Sequence, residues 1–280
     1  MKLLRYGPAG AERPGLLDGD GRIRDLGGRI DDLSGPALLP ASLARLAAVD
    51  PATLPLVDGR PRLGPCVAGV GKFIGIGLNY ADHAKEAGIP MPEEPVLFAK
   101  ATSSICGPND DTVIPPGAEK TDYEVELGLV IGTPGRSIAE ADALGHLAGY
   151  CTVNDVSERA YQIEGTGQWI KGKSADSFGP IGPWLVTPDE VPDPQALSLW
   201  CEVDGERRQD GSTATMIFGV AFLISYLSRF MSLESGDVIA TGTPPGVGLG
   251  MTPPTYLRDG DQITLTIDGL GTQAVKVVAD

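Results

Sequence analysis

The chain has 280 residues, 42% hydrophobic and 21% charged, a composition that supports a buried core and excludes a disordered chain. Asp and Glu number 37 against 22 Lys and Arg, for a formal net charge of −15, and such a field repels phosphate backbones and argues against nucleic-acid partners. The opening residues lack the apolar run of a signal peptide. The most apolar stretch, Met216 to Met231, is shorter than a membrane span and carries Arg229, so no membrane contact is expected. Cys66, Cys106, Cys151 and Cys201 form no CxxC pair, which argues against a zinc site and a secreted disulfide framework. The expected location is cytoplasmic.

In chain order, Lys2–Tyr6 and Arg22–Leu26 read as short strands separated by the Asp18-Gly19-Asp20-Gly21 turn, and a helix is predicted over Ala41–Ala48. Turns at Asp50-Pro51 and Gly59-Arg60-Pro61 close this section. The expected organisation is a small N-terminal α/β domain over residues 1–68 and a catalytic domain over 69–280. In the second part, Tyr123–Ile131 alternates, with Val125, Leu127, Leu129 and Ile131 on one face. Ser137-Ile-Ala-Glu140 has the pattern of a capping box opening a helix to about Leu147. Trp200–Val203 and Gln262–Ile267 read as strands, and the apolar spacing over Met216–Met231 predicts a core helix. Leu233–Ile239 and Leu257–Ile263 repeat one turn-then-strand pattern. A βαβ alternation is missing, which argues against a doubly wound sheet.

Three glycine motifs look like nucleotide sites and fail on context. Gly167-Gln-Trp-Ile-Lys-Gly172-Lys173-Ser174 matches a phosphate loop by letter, yet no strand precedes it, and the following Gly179-Pro180-Ile181-Gly182-Pro183 cannot carry a helix far. Gly75-Ile-Gly77-Leu-Asn-Tyr80 lacks the third glycine of a dinucleotide fingerprint, and no helix pattern follows Gly246-Val-Gly248-Leu-Gly250. Both read as tight turns where backbone comes close to another group.

Glu124 and Glu126 lie two apart in a strand, so both carboxylates share the face opposite the apolar row. Spacing leaves two readings, a solvated strand face or a pair held around a cation. Asp155, at the end of the apolar strand Tyr150-Cys-Thr-Val-Asn-Asp155, supplies a third acid, and three carboxylates suit Mg²⁺ or Mn²⁺. His83 is one of two histidines, and Glu86 follows it by one helical turn. That arrangement fits either a solvated surface pair or a water-activating base with its tautomer set by the carboxylate. The stretch from Ala87 to Pro95, framed by Gly88, Pro90 and Pro92, could carry that pair as a lid. Lys173 is either a solvated lysine or a cation placed to stabilise an enolate. His146 ends a predicted helix and suits a capping or surface role.

In order, Gly77-Leu-Asn-Tyr-Ala-Asp-His83, Tyr123-Glu-Val-Glu126-Leu-Gly, Val153-Asn-Asp155-Val-Ser-Glu-Arg159, Lys173-Ser-Ala-Asp-Ser-Phe178, Met216-Ile-Phe218 and Gly236-Asp-Val-Ile-Ala-Thr-Gly-Thr243-Pro resemble the fumarylacetoacetate hydrolase family over roughly residues 70–280. The resemblance implies a mainly β, α+β fold with a mixed β-roll catalytic domain, usually a homodimer. It implies Glu124, Glu126 and Asp155 as ligands of Mg²⁺ or Mn²⁺, His83 and Glu86 as a catalytic pair, and Lys173 as a catalytic and substrate-binding lysine. Tyr80, Lys100 and Thr243 are the other implied substrate contacts. The chain departs from its relatives at Lys173-Ser-Ala-Asp-Ser-Phe178, often Lys-Gly-Phe-Asp-Thr-Phe, and at Ala101, often aromatic; both touch substrate contacts rather than the acids.

Met1–Gly7 and Asp20–Leu26 resemble a subgroup hydrolysing 2,4-diketo-3-deoxy-sugar acids to pyruvate and a hydroxy acid. The expected reaction is metal-dependent hydrolysis of a carbon–carbon bond in a small keto acid. Acylpyruvate hydrolase, oxaloacetate decarboxylase and ureidoglycolate lyase activities are the alternatives on the same metal site.

Overall fold

The computed structural model describes residues 1–82 and 90–280. Among the described residues there are seventeen strands, numbered in chain order. The first eight are β1 (Lys2–Tyr6), β2 (Arg13–Leu17), β3 (Ile23–Asp25), β4 (Phe73–Gly77), β5 (Val96–Lys100), β6 (Ile105–Cys106), β7 (Thr112–Ile114) and β8 (Thr121–Asp122). The next five are β9 (Val125–Ile131), β10 (Leu147–Asn154), β11 (Ser157–Glu158), β12 (Gly179–Val186) and β13 (Ser198–Val203). The last four are β14 (Glu206–Ser212), β15 (Val238–Ala240), β16 (Gln262–Ile267) and β17 (Gly271–Ala279). Four α-helices are described: α1 (Pro40–Ala47), α2 (Arg159–Ile163), α3 (Ile170–Lys173) and α4 (Val220–Leu227). The fold is mainly β in the α+β class.

The large sheet has the order β3-β2-β1-β12-β10-β9-β15-β4-β5, with β6 beside β12. Most pairs are antiparallel, and β15 with β4 and β12 with β6 are parallel. The N-terminal strands continue this sheet, since Leu3 of β1 pairs with Leu185 of β12. A second sheet runs β14-β13-β16-β17-β7. The central strand β9 is buried on both faces. Leu127, Leu129 and Ile131 meet Leu199, Leu265 and Val275 of the second sheet, together with Leu223 and Leu227 of α4. Val130 faces the other way, toward Leu3, Leu38 and Leu185. Alternation thus marked a strand correctly, but burial of both faces made its polar positions interior ones.

Three local expectations change. Ser137 forms no capping box: the following segment is a 3₁₀ helix, Glu140–His146, capped at Ala139. Ser137 has φ 51°, and its amide donates to the Ser228 carbonyl at 2.7 Å, while the Ile138 amide donates to Ser228 Oγ at 2.8 Å. A tertiary partner at the end of α4 has displaced the local cap. The helix expected over 216–231 is confined to α4, because Asn79 captures the preceding amides: Ile217 N donates to Asn79 O at 2.8 Å and Phe218 N to Asn79 Oδ1 at 2.8 Å. Gly75 and Gly77 lie within strand β4 rather than in a tight turn, although the expected close approach is real. The repeated turn-then-strand pattern does fold the same way twice. Asp237 Oδ2 accepts from the Glu234 amide at 2.7 Å, and Asp261 Oδ2 accepts from the Arg258 amide at 2.8 Å.

Candidate metal centre

Antiparallel pairing of β9 with β10 sets Val153 opposite Glu126 and Asn154 opposite Val125. One residue beyond, the Asp155 amide donates to the Glu124 carbonyl at 2.9 Å, so register alone carries Asp155 to the two glutamates. Asn154 Oδ1 accepts the Glu124 amide at 3.0 Å and holds the crossing. Carboxylate oxygens of Glu124, Glu126 and Asp155 lie within 4.8 Å of one another. Their relative exposures of 6%, 2% and 0% rule out the solvated-face reading.

Buried anions need partners. Lys173 Nζ donates to Glu124 Oε2 and to Asp155 Oδ2, both at 2.6 Å. Lys100 Nζ donates to Asp155 Oδ1 at 2.5 Å and to the Val156 carbonyl at 3.1 Å. Arg159 Nη2 donates to Glu124 Oε1 at 2.7 Å, its Nε to Asp122 Oδ2 at 2.8 Å and its Nη1 to Gln162 Oε1 at 3.0 Å. Glu126 has no cationic partner among the described residues; its Oε2 accepts the Gly242 amide at 2.8 Å.

Burial pushes the Glu124 carboxyl up, but Arg159 and Lys173 outweigh it and hold it at about 2. Burial, Asp155 and Glu124 all push Glu126 well above the ordinary carboxylate range. Burial pulls Lys173 down, yet Asp155 and Glu124 raise it above an ordinary lysine. For Lys100 burial prevails over Asp155 and its affinity for a proton falls. Three converging hard-oxygen donors, one of them without a cation, fit a small divalent ion of the Mg²⁺ or Mn²⁺ kind.

A cavity of about 350 Å³ opens over these acids, lined also by Arg159, Gln162, Lys173 and Thr243. Thr243 Oγ1 donates to the Val125 carbonyl at 2.9 Å and accepts from Gln209 Nε2 at 2.8 Å. Tyr80 and Lys100 are not among the residues that line the cavity. Tyr80 is fully buried in the core with no hydrogen-bond partner for its hydroxyl among the described residues, and Lys100 acts on Asp155. His83 and Glu86 lie outside the described residues. His146 ends its 3₁₀ helix with Nδ1 2.8 Å from the Thr133 carbonyl.

Lys173 ends the short α3, directed at acids rather than at a phosphate. A Cβ on Gly172 would sit 2.5 Å from both Gln162 N and Glu158 O, so this glycine serves the packing of α3 on α2. Sequence reasoning named no role for Arg159, Gln162, Gln209, Gly242 or Asp122. Arg159, Gly242 and Thr243 stood inside the quoted motifs, but Gln209 carries no local signal, because its partners come from distant strands.

Residues 72–278 match the profile of the fumarylacetoacetate (FAA) hydrolase C-terminal family. The chain belongs to the fumarylacetoacetate hydrolase family. A curated protein of Burkholderia multivorans, provisionally named a hydrolase, is 67% identical over 274 residues covering 98% of this chain and 97% of that protein. The structure of a fumarylacetoacetate hydrolase from psychrophilic Exiguobacterium antarcticum is 40% identical, with a TM-score of 0.87 and 100% of both chains covered. Maleylpyruvate hydrolase from Sphingobium sp. SYK-6, solved in complex with manganese(II) ion and pyruvate, is 29% identical with a TM-score of 0.83, covering 100% of this chain and 99% of that one. The family and these neighbours make the chain an enzyme of hydrolase type. No helix among the described residues is long and apolar enough to cross a membrane.

Proposed function

We propose that this member of the fumarylacetoacetate hydrolase family cleaves the C3–C4 bond of a 2,4-diketo acid with water, giving pyruvate and a second carboxylic acid. The observation that carries the reading is the buried convergence of Glu124, Glu126 and Asp155 beneath a cavity that also holds the Lys173 ammonium. The manganese and pyruvate bound by the Sphingobium relative support it.

Glu124, Glu126 and Asp155 would hold Mg²⁺ or Mn²⁺, which when bound supplies a Lewis acid that polarises the 2-keto oxygen. Lys173, kept charged by two carboxylates, faces the negative charge that grows on the pyruvyl half as the bond breaks. His83, paired with Glu86 as the family resemblance implies, takes a proton from the water that attacks C4. The C3–C4 electron pair leaves with C3, which takes up the proton held by His83 and becomes the methyl group of pyruvate, while C4 keeps the water oxygen as a carboxylic acid.

The test is pyruvate release from a panel of 2,4-diketo acids and oxaloacetate, with Mg²⁺ or Mn²⁺ and after chelation. Chelator-sensitive release of pyruvate with a second carboxylic acid is expected. Release from oxaloacetate alone would replace hydrolysis by decarboxylation. His83→Ala should keep its far-ultraviolet dichroism and lose about 10²–10⁴ in turnover; full activity would remove His83 from this role.

A further inference from the structure

The glycine pair of β4 has a use that the acid cluster does not explain. A Cβ on Gly75 would lie 2.1 Å from the Phe98 ring, and one on Gly77 would lie 2.5 Å from the Trp169 ring. Both rings therefore pack directly on bare backbone. Their centroids are 5.4 Å apart with planes tilted at 52°, and Lys173 Nζ sits 4.8 Å from the centre of the Phe98 ring. This aromatic pair starts at the acid cluster and forms one wall of the cavity.

The rest of the cavity away from the acids is also apolar, with Leu78, Ile163, Val247 and Leu249 completing the wall. Leu78 holds φ 53°, a left-handed conformation that costs a leucine energy and persists only where surrounding structure imposes it. Ile163 and Leu249 are 47% and 37% exposed, so large aliphatic groups stand at the open side, where water would otherwise favour polar ones. The charged groups of the wall are already engaged. Arg159 and Lys173 are both held by acids, and Thr243 already donates and accepts. Outside the acid cluster, the Gln162 amide nitrogen and the Trp169 indole N–H are the polar side-chain groups of the described walls with no hydrogen-bond partner among the described residues.

From this wall we infer that the cavity is a built apolar subsite for the far end of the substrate, accepting an aryl or branched-alkyl acyl group. The inference rests on the diketo-acid reading and narrows it. A polyhydroxylated tail, as in the sugar acids implied by the N-terminal resemblance, would lose its hydration against a wall offering one amide and one indole N–H in return. A second carboxylate on the tail would meet no uncommitted cation among the described residues of the wall. An aromatic or branched tail would displace water from the Phe98 and Trp169 rings and from Leu249.

The experiment is calorimetric titration of the Mn²⁺-loaded protein with 4-phenyl-2-oxobutanoate, 2-oxoglutarate and pyruvate. All three share the 2-keto acid head, and none has a C4 ketone to be cleaved. The phenyl compound is expected to bind about tenfold to a hundredfold tighter than pyruvate, the gain from burying one aromatic ring, with 2-oxoglutarate no tighter than pyruvate. Trp169→Ala should erase most of that aryl advantage and leave the pyruvate affinity within about twofold, since the ring touches only the tail. An aryl compound no tighter than pyruvate, a stronger 2-oxoglutarate, or an aryl advantage untouched in Trp169→Ala would overturn the subsite. The parent protein decides the first two comparisons even where the variant does not fold. An intact aryl preference with no pyruvate released from any 2,4-diketo acid would uphold the subsite and remove the hydrolase reading instead.

Discussion

Arg159 holds Asp122, Glu124 and Gln162 with three different nitrogens while 4% exposed. Asp122 in turn accepts the Gly248 and Leu249 amides at 2.7 and 3.0 Å. One guanidinium therefore orients a candidate metal ligand and, through Asp122, the turn that carries Leu249. Lysine offers a point charge in place of that planar fork. Arg159→Lys should weaken Mn²⁺ binding by about 10–100-fold, the usual cost of losing a group that orients a ligand, with an unchanged dichroism spectrum; unaltered affinity in a calorimetric titration would show that Glu124 needs no such support. Asp18 offers a contrasting residue, in a turn remote from the site. The Arg22 amide and the Arg24 guanidinium hold its carboxyl at about 2, below the ordinary 3.8. A lowered folded value stabilises the fold above the unfolded pKa, and that contribution fades as pH falls toward the folded one. Asp18→Ala should thus melt below the parent at pH 7, and the gap in Tm should narrow steadily as scans move from pH 4 toward pH 2.

At the scale of elements, register does most of the placing. Glu124 and Glu126 were legible as two acids on one strand face, because alternation is a local property. That Asp155 meets them follows from the β9–β10 pairing, and the reading of Asp155 at the end of an apolar strand pointed to it. The segment after Ser137 shows the opposite case. Its letters spell a cap, but the Ser137 and Ile138 amides are taken by Ser228, and no side chain caps the 3₁₀ helix. Ser137→Ala is therefore expected to change stability by no more than about 0.5 kcal/mol, where a working N-cap would cost about 1 kcal/mol. Chemical denaturation distinguishes the two values. Gly75 and Gly77 were read as a point of close approach, which they are, but the rings that approach them come from Phe98 and Trp169, 23 and 92 positions away along the chain.

For the whole molecule, the acid cluster is a source of instability that a cation would relieve. Three carboxylates crowd one buried volume, and burial and its two neighbours drive Glu126 toward its neutral form. Ligand binding to the folded state stabilises it by about 2.7 kcal/mol at a hundredfold excess over Kd. For a chain of this size that corresponds to a rise in Tm of roughly 5 °C or more. Mn²⁺ or Mg²⁺ should raise the melting temperature by such an amount and EDTA should reverse it, whereas Glu126→Gln should blunt the response. A melting curve indifferent to both ions would count against the centre.

Sequence alone determined the mainly β character, the family resemblance, the three acids and Lys173, because alternation, motif order and acid spacing all survive in one dimension. Tertiary structure decided what those letters could not carry. Burial of β9 on both faces turned a potentially solvated strand into an interior site, and tertiary contacts set Lys100 on Asp155. Distant chain segments brought Phe98, Trp169 and Leu249 together above the acids. Such contacts are set by packing among residues far apart along the chain, and no local pattern records them.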